Sequence, residues 1–433
     1  MTSNKEIKER HDAVMFPNVG NFYKEAVALK EGKGARVTDH DGTTFLDFFG
    51  GILTVSVGHA NEHVNAKVKE QVDRLAHVST LYPTLNMVEL AERLVKLAPG
   101  RIDRAFFCAS GTEADETAVS LAQTHTGRTE LVALRHGYSG RSFLAQALTA
   151  HSPYRAVQTQ IAGIKHAASP YCYRCRFKKT PDSCKMECVE DLEDVIRMTT
   201  TGHIAGFLGE PIQGVGGFIT PPKEYWKRVY DVVKKYGGVF IADEVQTGFG
   251  RTGKMWGIEQ YGVEPDVMTM AKGIANGYPL SACLATTDIA MSQAGKATVS
   301  TFGGNPISTA AGLAVLDEIE NNSLIQNAHD RGAELREGLE GLQRKFPKLI
   351  GDVRGMGLMQ AIELVADETA QDRTPNKAAI GALFEETKKR NLLIGKGGLD
   401  GNVVRISPPL NVTAEEIKEA LSVMDESFTA MHS

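Results

Sequence analysis

No run in the 433-residue sequence is long and apolar enough to cross a bilayer, which takes about 20 consecutive apolar residues, so a helical membrane protein is excluded. Neither sign of charge dominates. Lys and Arg number 48 against 53 Asp and Glu, a formal net charge of −5, and no block of one sign interrupts the chain. A nucleic-acid binder carries a basic stripe or patch, so no nucleic-acid partner is expected. Internal repeats and low-complexity tracts are lacking as well, which excludes solenoids and disordered scaffolds. The opening MTSNKEIKERHD has no apolar core of a secretory leader, and a cytoplasmic protein is expected.

Cysteine is scarce, with six residues, yet four of them crowd into YCYRCRFKKTPDSCKMEC. Cys172, Cys175, Cys184 and Cys188 are spaced C-x2-C, eight residues, C-x3-C. Four thiolates suit a tetrahedral structural zinc site. Free thiols packed in a surface loop, or disulfides disfavoured in a reducing compartment, explain the same spacing. No catalytic metal is expected.

What is present is an ordinary globular composition, 42% hydrophobic and 23% charged, ample for a large core. From Arg104 onward short apolar runs at 105–108, 131–134, 204–208, 239–242, 267–271 and 282–285 alternate with helical patterns such as 112–124 and 223–236. Strand–helix alternation of this kind builds a mostly parallel sheet flanked by helices. The remainder reads differently: a long helical pattern over 308–346, a strand pair from 351, a helix at 377–390, a strand at 403–406, and a last helix opened by the capping box Thr413-x-x-Glu416. Residues 1 to about 35 read as polar and irregular, followed by a hairpin turning at Asp41-Gly42. The fold class expected is α/β, a large domain with a smaller α+β domain. Its divisions are an N-terminal arm and hairpin (1–58) that joins the small domain, the large domain (59–310) and the small domain (311–433).

Two of the apolar runs end in ionisable residues, Asp243 and Lys272, each followed by a glycine-bearing loop. Ligands in open α/β sheets bind beyond the carboxyl ends of the strands. A third run ends in Cys108-Ala-Ser110-Gly111-Thr112, where a helix begins, and helix starts bind anions. Each feature alone is ordinary: a cap, a loop aspartate, a solvated lysine. Together they are what pyridoxal phosphate requires: an anion cradle, a carboxylate for its ring nitrogen and an amine for its aldehyde.

Ordered motifs along nearly the whole chain sharpen this reading. They are Gly58-His59, SGTEA at 110–114, GEPIQGVGG at 209–217, IADEVQTGFGRTG at 241–253, AKGIANGYPLSA at 271–282, TFGGNP at 301–306, VRGMGL at 353–358 and RISPPL at 405–410. With them the chain resembles the class III (ω-type) aminotransferases of the fold type I pyridoxal phosphate enzymes, in the alanine–glyoxylate and β-amino-acid branch. The resemblance implies that Lys272 forms the Schiff base and moves the proton. It implies that Asp243 pairs with the ring nitrogen, that Val245 and Tyr138 cover the two ring faces, and that Gln246 reaches the phenolic oxygen. Ser110, Gly111 and Thr112 are implied to hold the phosphate, and Thr301 to complete that site from a second subunit of a homodimer, or of tetramers built from dimers. Where the family usually has His after the stacking aromatic, this chain has Ser139. Arg405 is implied to bind a substrate carboxylate, with Glu210 pairing with it to mask it for ω-amino donors. The activity implied is ping-pong transfer of an amino group from an α- or ω-amino donor to a keto acid such as pyruvate or glyoxylate. Two alternatives share the scaffold: a lyase acting on a phosphorylated amino alcohol, and a dialkylglycine-type decarboxylase.

Overall fold

The computed structural model describes residues 2–156 and 161–431. Its centre is a seven-stranded sheet in the spatial order Ile102–Cys108, Ser281–Thr286, Val267–Met270, Val239–Asp243, Gly206–Gly209, Leu131–Leu134, Ile164–Ala167. The last five are parallel neighbours, and Ser281–Thr286 runs antiparallel to the strands on both its sides. Every residue of Leu131–Leu134, Gly206–Gly209, Val239–Asp243 and Val267–Met270 is buried, as strands covered on both faces must be. The strand period of two divides the core: Phe240 and Ala242 enter one apolar cluster, Val239 and Ile241 the other. Helix Gly111–Thr126 packs on Val267–Met270 and Ser281–Thr286. Helices Glu187–Thr199 and Tyr225–Lys235 pack on Ile164–Ala167 and Val239–Asp243.

A second, antiparallel sheet is ordered Ile350–Met356, Met359–Asp367, Val403–Ile406, Gly395–Gly397, with Asp372–Pro375 paired to Met359–Asp367. The N-terminal hairpin, Arg36–Asp39 and Thr44–Asp47, carries Leu29–Lys33 on one side. On the other, Thr44–Asp47 pairs in parallel with Leu392–Leu393, which ties the hairpin to the C-terminal part of the chain.

Several expectations are corrected. The N-terminal stretch is not irregular: it holds helix Asn4–Val14, capped by the Ser3 side chain, and strand Leu29–Lys33. The helical pattern over 308–346 is two helices, Pro306–Asn321 and Leu324–Lys345, broken where Ser323 turns left-handed at φ 51°.

Strand Ile164–Ala167 precedes the cysteine-bearing stretch. Cys172, Cys175, Cys184 and Cys188 line one small cavity of about 30 Å³, and all are free thiols. Yet among the described residues no three His, Cys, Asp or Glu side chains are arranged to hold a metal ion, so the zinc expectation lacks its geometry. Ionic contacts fasten this loop instead. Tyr171 and Arg174 both bond Glu363 on the second sheet, and Arg354 bonds the same carboxylate at 2.7 Å.

Candidate active site

Asp243 and Lys272 reach the same rim because their strands are adjacent and parallel, with Asp243 opposite Thr269. Lys272 follows its strand after Ala271 and opens the short 3-10 turn Lys272–Ala275 at φ 39°. A left-handed lysine is costly, of order 1–3 kcal/mol, and persists only where surroundings dictate it; here Gly273, Ile274 and Ala275 are all buried.

One cavity of about 150 Å³ gathers Lys272, Asp243, Val245, Gln246, Glu210, Tyr138, Gly111 and Thr112. Helix Gly111–Thr126 points its N-terminus here, where free amides and the helix dipole favour an anion. Ser110 is placed differently from the expectation. Its side chain caps the helix by accepting the Glu113 amide, and it lies exposed outside the cavity lining. Gly140, at φ 130°, lets the loop after Tyr138 lie against the helix start, since a Cβ there would overlap Thr112 Oγ1. Val245 Cγ2 stands 3.3 Å from where a Cβ on Gly111 would be, so that glycine keeps the cavity open.

Burial governs the ionisation. It lowers the Lys272 amine from its usual range, with Asp243 and Glu210 opposing. It pushes Asp243 up to about 6, against the amide of Val245, which donates to Oδ1 at 2.9 Å. Neighbouring Glu244 points elsewhere. It accepts from Thr247 Oγ1 and the amides of Gly257 and Ile258 and so fixes the following loop.

Arg405 stands on strand Val403–Ile406 opposite Ala361 and outside the cavity lining. Its guanidinium lies 4.9 Å from the Phe49 ring centroid and 5.7 Å from that of Phe218, and Nε donates to the Lys396 carbonyl at 2.9 Å. Nη1 is buried without a partner, and burial lowers the pKa to about 10. The expected pairing with Glu210 is not made. Both Glu210 oxygens are occupied, Oε1 by the Tyr138 amide at 3.1 Å and Oε2 by the Gly214 amide at 2.7 Å. Thr301 is exposed on the surface of the single chain, away from this cavity.

Two ionisable residues of the cavity were not singled out in the sequence. Asp115 lies on the buried stripe of helix Gly111–Thr126 with Ala118 and Ala122, and an acid on an apolar helical face was the available signal. Arg141, three residues after Tyr138, lines the cavity from an exposed position with no ion pair among the described residues. Gln246 keeps its Oε1 buried and unpartnered. An amine, a carboxylate, an anion cradle, flat walls at Val245 and Tyr138, and an orphaned amide oxygen together fit a phosphorylated pyridine aldehyde.

A family profile described as aminotransferase class-III matches residues 19–428. The chain is 41% identical over 425 residues to alanine–glyoxylate aminotransferase 2 homolog 2, mitochondrial, of Arabidopsis thaliana, covering 98% of this chain and 87% of that one. A thermostable (S)-enantioselective omega-transaminase from Thermomicrobium roseum superposes with a TM-score of 0.92 at 30% identity, over 100% of both chains. An amine transaminase from an uncultivated Pseudomonas species, solved with PLP bound, has a TM-score of 0.89 at 33% identity, over 96% of this chain and 98% of that one.

Proposed function

The chain belongs to the class III aminotransferases, enzymes that use pyridoxal phosphate to move an amino group from an amino acid to a keto acid, and we propose how its own residues do so. The observation that carries the reading is the single cavity shared by Lys272, Asp243 and the start of helix Gly111–Thr126. When bound, the cofactor supplies an aldehyde that exchanges amino groups and a protonated ring that draws electrons from the substrate's Cα. Gly111 and Thr112 hold its phosphate, with Ser110 contributing through its backbone, since its side chain already caps the helix. Asp243 would hold the ring nitrogen protonated, Val245 and Tyr138 would confine the ring, and the Gln246 amide would meet its phenolic oxygen. Lys272, its amine held low by burial, takes the proton from substrate Cα and returns it on the far side of the exchange. Arg405 receives the substrate carboxylate, for which its unpartnered Nη1 is ready. Arg141 offers a second cation at the mouth for donors with a distal anionic group. Glu210, held by two amides, shapes this pocket without masking Arg405.

Small donors of the alanine type, with glyoxylate or pyruvate as acceptors, are the substrates proposed, because the Arabidopsis relative is named for that pair. A panel of amino donors tests this. An accepted donor bleaches the cofactor's visible absorbance and a keto acid restores it. Bleaching that no keto acid reverses, with release of phosphate or carbon dioxide, overturns transamination.

The assembly we propose is a homodimer. Thr301 is exposed next to Phe302 and Val299, and Thr80 Oγ1 receives the Ser300 amide at 3.0 Å, which joins this loop to exposed Leu81 and Tyr82. A second copy seated there covers the apolar patch and carries Thr301 to its neighbour's phosphate cradle. Six free thiols support a reducing, cytoplasmic setting. The Arabidopsis relative is named mitochondrial, and cell fractionation of the source organism decides between the two.

A further inference from the structure

The cavity floor holds one carboxyl more than this mechanism uses. Asp115, 1% exposed, projects from helix Gly111–Thr126 into the space shared with Asp243 and Lys272. Thr269, the cross-strand neighbour of Asp243, donates its hydroxyl to Asp115 Oδ1 at 2.7 Å. With Glu210 this makes three buried carboxyls facing one amine. Burial raises the Cys283 thiol of strand Ser281–Thr286, and Asp115 in turn adds to that rise. Like charges confined to one buried site do not all ionise, so at least one of the three keeps a proton.

The hydrogen bonds identify which. Glu210 accepts two backbone amides and Asp243 accepts one, and such donors stabilise only the anion. Among the described residues Asp115 accepts no amide. Its one partner is the Thr269 hydroxyl, which can also accept a proton from the acid and so favours the anion less than an amide does. We propose that Asp115 is a positioning residue that stays protonated at neutral pH, so that the charge beside the cofactor's ring nitrogen is confined to Asp243. This rests on the reading that Asp243 meets that nitrogen. The electrostatics agree in direction: burial, then the Asp243 charge, pushes Asp115 well above its ordinary value, while Asp243 itself rises only to about 6. An ionised Asp115 would set a second negative charge near Lys272, hold that amine protonated and blunt it as a base.

Infrared spectroscopy of the full-length, cofactor-loaded protein tests the proposal, because a carboxylic acid has a C=O stretch distinct from that of a carboxylate. At pH 7 the expected result is a buried-acid band that Asp115→Asn removes. Thr269→Val should keep this band and move its pH midpoint upward, since the carboxylate loses its one donor. A pH 7 spectrum in which Asp115→Asn removes no acid band overturns the proposal. Should that variant fail to fold, a midpoint unmoved by Thr269→Val overturns it as well. Failure of the broader reading looks different: protein that binds no pyridoxal phosphate still shows the Asp115 band.

Discussion

Replacing Arg405 by alanine separates recognition of a substrate carboxylate from the rest of the site. The guanidinium is 4% exposed, spends Nε on the Lys396 carbonyl, and leaves Nη1 unpartnered. A hydrogen bond to a charged group is worth about 1.5–3 kcal/mol, and a bidentate guanidinium–carboxylate pair exceeds a single one. Its loss, taken as about 3–4 kcal/mol, lowers kcat/KM by about two to three decades at roughly 1.4 kcal/mol per decade. Stability answers to other contacts. Alanine forfeits cation–π contacts with two rings, about 0.5–1 kcal/mol each, and a hydrogen bond of about 1 kcal/mol. It also removes a buried orphan donor that costs about 1–3 kcal/mol. These offset, so folding stability should change by less than about 2 kcal/mol. The assay is single-turnover bleaching of the bound cofactor by L-alanine and by a primary amine of similar size without a carboxylate. The large loss is expected with alanine alone. Equal loss with both donors, or collapse of stability, refutes the role given to Arg405.

Three further outcomes are expected. His151 is buried with neither ring nitrogen partnered, and burial lowers its pKa from 6.5 to about 4. Its folded form resists protonation, so stability is intact above pH 6.5 and is lost as pH falls from 6.5 toward 4, by about 3 kcal/mol in all. Thermal midpoints of His151→Asn should flatten across that window, and an unchanged acid slope counts against the assignment. Gly140→Ala forces a Cβ into Thr112 Oγ1 from a φ of 130°, and cofactor binding should weaken at least about tenfold; unchanged affinity would remove Thr112 from the phosphate cradle. Phe302→Asp puts a charge on the proposed dimer face, where Phe302 is 63% exposed in the single chain, and sedimentation should report monomers with poor cofactor retention. Sedimentation identical to that of the unaltered protein contradicts the dimer face.

Much of the fold was legible because buried strands announce themselves as short apolar runs. The runs at 131–134 and 403–406 match the observed strands residue for residue, and Asp243 and Lys272 stand where a doubly covered sheet puts strand-end residues. Strand Ile164–Ala167 was missed because two of its four residues, Lys165 and His166, are polar, as an edge position allows. Helix Asn4–Val14 was missed because it buries nothing and so has no apolar stripe to show. At the site, the amine, carboxylate and helix start were readable from motif order. The freedom of Arg405 from Glu210 was not, because it depends on which backbone amides the Glu210 carboxylate meets after folding. Asp115 had one signal, its place on an apolar helical face with Ala118 and Ala122, but a lone acid there is decided only once the strand beneath it is known.

Lys272 is the residue proposed to carry pyridoxal phosphate. Borohydride reduction of the purified protein, followed by peptide mass spectrometry, tests it most directly. One phosphopyridoxyl label per chain is expected, on the peptide containing Lys272, with loss of both the label and the visible absorbance in Lys272→Ala. A label on another lysine, or a Lys272→Ala protein that still transaminates at a comparable rate, would contradict it.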